Sequence, residues 1–201
     1  MRNLLTMLMP ADLGHEAIRR PGWWLMSASM SDEARRVEAL RLWAEGARLI
    51  EARRYNDAII TLTRSIELFP TAEAYTFRGW AFSHQDRVDE AIAECKRAIE
   101  VDPAFGNPYN DIGAYLIQQG KLEEAIPWLE QATRAERYEA RVFPWANLGR
   151  IYATRGDRTR AIAAFRKALE EQPGYHPAQH MLERLIAGTN GFAKLETSRG
   201  R

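Results

Sequence analysis

One sequence pattern occurs twice in this chain, as YNDIGAYLIQQGKLEEAIPWLEQA at residues 109–132 and as WANLGRIYATRGDRTRAIAAFRKA at residues 145–168. Each copy has glycine at its fifth and twelfth places and alanine at its seventeenth and twenty-fourth places. A repeat with a fixed period decides the fold, because each copy forms one small structural unit that must pack against its neighbours.

Two more copies precede these. The first glycine of the pattern stands at Gly46, Gly79, Gly113 and Gly149, with spacings of 33, 34 and 36 residues. Small residues follow each glycine twelve and nineteen positions later: Ala58 and Ser65, Ala91 and Ala98, Ala125 and Ala132, Ala161 and Ala168. Prolines close three units, at Pro70, Pro103 and Pro173, and Arg137 stands at that place in the third unit. The sequence therefore predicts four units.

The phased glycines have a physical explanation. A glycine inside a helix costs roughly 1 kcal/mol relative to alanine, so four of them at one phase indicate close approach of a neighbouring helix. We expect the phased alanines of the second helix to be the opposing small contacts, with large residues filling the remaining space. Proline cannot continue a helix interior, and so it ends each second helix.

The pattern resembles the tetratricopeptide repeat (TPR) family, whose units of about 34 residues form a helix, a turn and a second helix. The fourth unit carries the resemblance most fully, at Trp145, Leu148, Gly149, Tyr152, Ala161, Phe165, Ala168 and Pro173. The resemblance implies an all-α, right-handed helical solenoid of four TPR helix-turn-helix repeats plus a C-terminal capping helix. The repeats lie at about residues 39–71, 72–105, 106–141 and 142–175, and the capping helix lies at 176–188.

The caps, turns and prolines predict where the helices begin and end. The expected helices are Asp32–Ala52, Tyr55–Phe69, Ala72–Gln85, Val88–Val101, Pro108–Gln119, Leu122–Glu136, Phe143–Arg155, Thr159–Glu171 and Pro177–Ala187. Ser31 is a good N-cap for the first helix. Pro127 falls inside the sixth helix, where it should remove a hydrogen bond and bend the helix. The TPR domain as a whole is predicted at residues 31–188.

The two ends of the chain do not fit the repeats. Residues 1–30 are expected to be a flexible or weakly docked leader, and translation could start at Met1 or at Met30. In a second interpretation, the apolar cluster at residues 23–26 occupies the protein's own groove or a partner's groove, since exposed apolar clusters often mark contact sites. Residues 189–201 are expected to form a disordered tail.

Composition excludes several classes of function. The net charge is +1, with 27% charged residues, so bulk charge indicates neither nucleic acid nor an anionic membrane as a partner. No apolar run approaches the roughly 18 residues of a membrane span, and no secretory signal is evident. The single cysteine, Cys95, excludes an internal disulfide framework and fits a reducing compartment, so we expect a cytoplasmic protein.

The resemblance also implies where a partner binds. In this family the first helices line a concave groove, and the matching positions here include the predicted groove residues Trp43, Ala47, Thr76, Trp80, His84, Asn110, Ala114, Phe143, Asn147 and Arg150. Aromatic residues and arginine are the types that anchor protein interfaces. Alternatively, the aromatic residues cover the rows of first helices or contact the leader.

One known ligand of the family can be tested by residue. Chaperone-binding members hold an acidic C-terminal tail with lysine, asparagine and arginine at five places. Those places hold Trp43, Ala47, Phe77, Asn107 and Asp111 when counted from the first unit, and Thr76, Trp80, Asp111, Phe143 and Asn147 when counted from the second. The clamp is absent in both registers, which argues against binding of Hsp70/Hsp90-type acidic tails.

No residue set predicts catalysis. His176 and His180 have a spacing that suits a metal ion, but a solvated helix start explains them better because no clear third ligand is present. Cys95 occupies a packing position, and no phosphate loop or nucleophile motif is found. We therefore expect no enzyme activity, no cofactor and no metal.

Three functions remain open. The first is a non-enzymatic protein–protein interaction module, an adaptor or scaffold that receives a peptide or helix in the groove. The alternatives are a structural protein that self-associates, and a chaperone for a secreted protein.

Overall fold

The computed structural model describes the backbone of residues 30–198 and the side chains of residues 30–187. Within those residues the chain is all-α, as predicted, with no strand. The helices are α1 Asp32–Glu51, α2 Tyr55–Leu68, α3 Ala72–Ser83, α4 Val88–Val101, α5 Asn107–Gln118, α6 Leu122–Arg134, α7 Val142–Thr154, α8 Arg158–Glu171 and α9 His176–Ser198. Residues 1–29 of the predicted leader and 199–201 of the predicted tail lie outside the described part of the chain.

Helices pack in sequential pairs. The closest neighbours are α1 with α2, α3 with α4, α5 with α6, and α7 with α8, and each second helix also contacts the first helix of the next unit. First helices touch one another as well, α1 with α3 and α5 with α7. The helices α1, α3, α5 and α7 therefore share one face of the solenoid, which we call the groove face.

Local sequence explains where the helices start and turn. Ser31 caps α1 as predicted, since its hydroxyl accepts a hydrogen bond from the backbone N–H of Ala34 at 3.2 Å. The turn inside each unit has one residue with positive φ at the same phase. These residues are Arg53, Asp86, Gly120 and Gly156, with φ of 58°, 61°, 75° and 74°. Glycine meets this requirement without strain in the third and fourth units only.

The phased glycines do allow close helix contact, but their nearest partner differs from the expected one. A Cβ at Gly46 or Gly113 would lie 2.5 Å from a side-chain carbon of Leu62 or Leu129, respectively. The predicted alanines Ala58, Ala91, Ala125 and Ala161 are completely buried, yet only in the second unit does one of them, through its carbonyl oxygen, lie nearest the glycine. In the first, third and fourth units the glycine thus makes room for one large side chain: Leu62, Leu129 or Phe165.

A buried ion pair connects the two helices of the second unit, and a hydrogen bond links it to the first unit. The Arg78 guanidinium on α3 donates to a Glu94 carboxylate oxygen on α4 at 2.7 Å, and the two side chains are only 10% and 9% exposed. Arg78 also donates to the hydroxyl of Thr63 on α2 at 3.0 Å. This pair was not predicted, because nothing in the repeat pattern requires charges at these two positions.

The longer third unit forms a bridge to the preceding loop. Arg137, which replaces the closing proline, exchanges backbone hydrogen bonds with Ala104 and Gly106 at 2.9 and 3.1 Å. Its guanidinium donates to Asp102 and to Glu73, each at 2.6 Å. The extra residues therefore tie the end of the third unit to the second unit, and a proline could not donate the backbone hydrogen bond that this bridge needs.

The last helix corrects the sequence prediction at its C-terminal end. Helix α9 continues to Ser198, although an end at Gly188 and a disordered tail from 189 were expected. A single glycine weakens a helix by about 1 kcal/mol without ending it, and Ala193, Lys194 and Leu195 are good helix formers. Leu182 stands 33 residues after Gly149, at the phase that glycine holds in the four repeats, and it packs against the core.

Candidate protein-binding groove

Three aromatic side chains form a cluster at the N-terminal half of the groove face. The ring of Phe77 meets Trp43 edge-on, with centroids 5.5 Å apart, and lies 4.6 Å from the ring of Trp80. All three are partly buried. The indole N–H of Trp43 is buried and has no hydrogen-bond partner among the described residues. An aromatic patch of this kind offers a partner a large apolar contact area.

A row of polar side chains continues from this cluster across α5 and α7. The indole N–H of Trp80 donates to Asp111, Asn110 donates to Asp111 at 3.4 Å, and Asn147 donates to Asn110 at 3.4 Å. The guanidinium of Arg150 approaches the Asn147 side-chain oxygen at 3.5 Å. We call these five side chains the polar row. Apart from the bond at Trp80 these contacts are long and weak, so the amide and guanidinium donors retain capacity for a ligand.

Asp111 is the member of the row that the predicted site left out. Burial raises the pKa of its carboxyl to about 6, while the hydrogen bonds from Trp80 and Asn110 act in the opposite direction. Its position could have been found from sequence, because it occupies the same repeat phase as Asn147 on α7. A charged residue at that phase within an otherwise apolar and amide-rich face was the available indication.

Replacing Asp111 by asparagine should remove a pH dependence of stability. The folded-state pKa of about 6 is above the ordinary value of 3.8, so the folded chain holds this proton more tightly than the unfolded chain. The resulting stabilisation is fully present below about pH 4 and is lost as pH rises through about 6. Asparagine does not titrate and can still accept the Trp80 hydrogen bond. The free energy of unfolding of the variant relative to the wild type should therefore rise by about 1 to 3 kcal/mol between about pH 4.5 and about pH 7.5.

Urea denaturation of both proteins at the two pH values measures this difference. The comparison at the lower pH serves as the control for any packing effect of the substitution. A difference between the two proteins that stays the same at both pH values would contradict the assignment of a proton to Asp111.

The other predicted groove residues differ in how exposed they are on the groove face. Ala47 and Ala114 are partly buried on α1 and α5, and His84 is exposed and stacks on Tyr55 at 4.8 Å. Phe143 is 45% exposed. Thr76 does not line the groove: it is 1% exposed, and its hydroxyl donates to the carbonyl of Ala72 in its own helix. Site spacing taken from the family does not distinguish a groove position from one that the neighbouring helix covers.

The described residues offer little reactive chemistry. Cys95 is completely buried beside α3, and burial raises the pKa of its thiol well above the ordinary value, which disfavours the nucleophilic thiolate. The His176 ring lies 3.1 Å from the Gln179 side chain. Among residues with described side chains, no three histidine, cysteine, aspartate or glutamate groups are arranged to hold a metal ion. Within the described range, no helix is both long enough and apolar enough to cross a membrane.

Comparison with known proteins agrees with the repeat pattern. Three family models, each described as tetratricopeptide repeat, match residues 44–106, 109–139 and 142–175. Together these matches span all four predicted repeats, and they leave out both ends of the chain.

Curated relatives match parts of the chain. Small glutamine-rich tetratricopeptide repeat-containing protein 2 of Mycosarcoma maydis is 37% identical over 91 residues, covering 45% of this chain and 26% of that protein. The DnaJ homolog subfamily C member 7 homolog of Dictyostelium discoideum is 28% identical over 93 residues, covering 44% of this chain and 17% of that protein. The chain thus spans less than a third of the length of these relatives.

Solved structures are similar over more of the chain. PilF of Pseudomonas aeruginosa superimposes with a TM-score of 0.73 at 20% identity, covering 79% of this chain and 72% of that chain. MamA superimposes with a TM-score of 0.60 at 25% identity, covering 71% of this chain and 86% of that chain. These similarities show that the described helices form an all-α repeat solenoid. With the three family matches, they place the chain in the tetratricopeptide repeat family, whose members mediate protein–protein interactions.

Proposed function

We propose that this protein is a non-enzymatic adaptor or scaffold that binds a peptide or helix of a partner protein along its groove face. The observation that carries the proposal is the continuity of the aromatic cluster and the polar row, which place side chains from all four repeats on one surface. An apolar contact area next to amide and guanidinium donors suits a polypeptide, because a polypeptide presents apolar side chains and backbone carbonyls together.

The residues of the groove limit which classes of partner are proposed. The cluster of Trp43 and Phe77 and the carboxyl of Asp111 stand where an acidic-tail clamp would need cations and amides, so tails of the Hsp70/Hsp90 type are not the proposed ligand. The balanced net charge of +1 supports a protein partner over nucleic acid. A cytoplasmic location is part of the proposal and rests on the single cysteine.

A groove-blocking variant tests the proposal. Ala114 lies on α5 beside the polar row and is partly buried, so Ala114→Arg places a long charged side chain across the middle of the groove. Arginine is a good helix former, and the fold should tolerate the change. We expect the partner captured from host lysate by the wild type to bind at least tenfold more weakly to the variant, as measured by titration of the purified partner.

Ala163→Arg is the matched control, because Ala163 is exposed on α8, away from the groove face. It should capture the same partner as the wild type, and circular dichroism should show equal helix content in all three proteins. Equal capture by Ala114→Arg would refute groove binding.

Self-association is the second candidate. The apolar side chains of Val37 and Leu40 are 58% and 47% exposed on α1, at the end of the solenoid that no earlier described helix covers. Exposed apolar side chains that lie close together often mark contact sites. A mass in light scattering that rises with protein concentration, together with recovery of this chain alone in the capture experiment, would favour this candidate. The chaperone hypothesis stays open, and under it the captured partner would be a secreted protein.

A further inference from the structure

A cleft lies between α7 and α9 at the C-terminal end of the groove face. Its volume is about 620 Å³, which is in the range of sites that bind small molecules or single side chains. The capping helix supplies one wall through Pro177, Ala178, His180 and Met181, and Tyr175 lines the cleft just before this helix begins. The groove face therefore continues beyond the fourth repeat, and α9 contributes to a binding surface as well as covering the core.

Small residues create the space in this cleft. Ala146 and Ala153 on α7 face Ala178 on α9, while the rings of Phe165 and Tyr175 form apolar walls. Phe165 is 1% exposed and belongs to the core, so this wall is rigid. Methionine side chains adapt to the shape of a bound group, and Met181 also lines the cleft. These walls suit one large apolar side chain.

The cleft has several polar lining residues, and none of them is acidic. Arg150 and His180 line it together with Asn147 and Thr154, and no carboxylate is among the lining residues. The hydroxyl of Thr154 already donates to the backbone carbonyl of Arg150. Among the ion pairs in the described part of the chain, none involves Arg150, and its contact with Asn147 is a long 3.5 Å. Most of its guanidinium donors are therefore available to an acceptor, and carboxylates are the best acceptors for arginine.

We propose that the cleft between α7 and α9 anchors a large apolar side chain of the bound peptide together with an acidic residue next to it, with Arg150 binding the carboxylate. The proposal rests on the proposed groove function and adds the chemistry of the ligand. Charge complementarity selects this occupant, because a basic or neutral peptide would leave the Arg150 guanidinium beside the cleft without a charged partner. Arginine is among the residue types enriched in binding hot spots, and hot spots cluster in well-packed pockets.

Three fluorescein-labelled peptide pools with randomised flanks test the proposal on the full chain. The first pool has a fixed phenylalanine–aspartate–glutamate centre, the second has phenylalanine–asparagine–glutamine, and the third has alanine–aspartate–glutamate. Fluorescence polarisation should show the first pool binding at least about tenfold more tightly than the other two, since each control pool lacks one of the two anchors. Equal affinities, or no detectable binding of the first pool, would overturn the proposal.

Two variants of the cleft and one control locate the binding. Arg150→Glu reverses the charge, and Ala153→Leu fills the apolar space; each should weaken binding of the first pool by about tenfold or more. Arg166→Glu makes the same charge change at an exposed position on α8 outside the cleft and should have no effect. Binding that is unchanged by both cleft variants would place the peptide elsewhere and reject this site.

The partner captured from lysate distinguishes the two proposals. If its binding is lost in Ala114→Arg but unchanged in Arg150→Glu and Ala153→Leu, the groove function stands and the cleft proposal fails. If its binding survives Ala114→Arg, the groove function itself fails. Loss in Ala114→Arg and in both cleft variants supports the two together.

Discussion

Replacing Gly149 by leucine should unfold the C-terminal part of the solenoid. A Cβ at this position would lie 2.8 Å from ring carbons of Phe165, which is 1% exposed, and leucine adds three more carbons beyond the Cβ. Helices α7 and α8 would have to separate, so we expect a loss of about 3 kcal/mol or more in the free energy of unfolding. Because each repeat contacts mainly its neighbours, α7, α8 and α9 should lose amide protection while α1 to α4 keep it.

Hydrogen exchange measures the loss of amide protection, and urea denaturation measures the loss of unfolding free energy. Gly79→Ala is the control variant. A Cβ at Gly79 would lie 3.2 Å from the carbonyl oxygen of Ala91 and 3.4 Å from the Cβ of Glu94. The better helix propensity of alanine offsets this mild crowding, so the urea midpoint should change little. An unchanged midpoint for Gly149→Leu would show that the two helices can separate at no cost, and it would refute the packing role of the phased glycines.

Replacing Glu94 by glutamine should destabilise the protein by about 3 kcal/mol, because it leaves the buried Arg78 guanidinium without a negative partner. The glutamine side-chain oxygen and the Thr63 hydroxyl can still accept hydrogen bonds from Arg78, but both acceptors are neutral. The ion pair joins α3 to α4 and, through Thr63, to α2. The substitution should therefore weaken the contact between the two helices of the second repeat and lower the temperature of unfolding.

The exposed pair of Arg87 and Glu90 provides the matched control. Its residues are of the same types and its N–O distance is 2.5 Å, but both side chains are more than 40% exposed. Glu90→Gln should leave the unfolding temperature nearly unchanged, since water solvates the arginine that remains. Replacing both buried partners, as Arg78→Met with Glu94→Leu, should restore most of the stability lost in Glu94→Gln. If Glu94→Gln and Glu90→Gln have equal effects, the burial of the first pair contributes nothing.

Most of the fold could be predicted from the period of the repeated sequence pattern. The four glycine phases and the closing prolines predict eight repeat helices whose ends agree with the structure to within about two residues, the usual uncertainty of helix ends. This works because a solenoid is built from local helix pairs, so the sequence of one unit determines most of its own packing. The end of α9 was not predictable in this way, because the described residues include no second helix that pairs with α9 as α8 pairs with α7.

Side-chain partnerships were predicted less well than backbone structure. Trp80 was predicted as a groove residue, but the sequence did not show that its indole N–H donates to Asp111, one repeat further along. Thr76 was expected in the groove and is buried. Whether a position is covered depends on the rotation between neighbouring helices, which the repeat pattern does not encode. The bridge at Arg137 likewise depends on a loop conformation that exists only in the third unit.

Leu182 disfavours the addition of a fifth complete repeat after α9. A fifth complete repeat would need its second helix to approach α9 as closely as α8 approaches α7, over a residue without a Cβ. Leu182 carries a side chain at the phase where the four repeats have none, and this side chain packs against the core. A second helix appended after α9 would therefore meet the side chain of Leu182 where α8 meets Gly149, and we expect poorer packing at that contact. A unit inserted before α9, with a second helix like α8, would instead preserve the packing that α9 now makes.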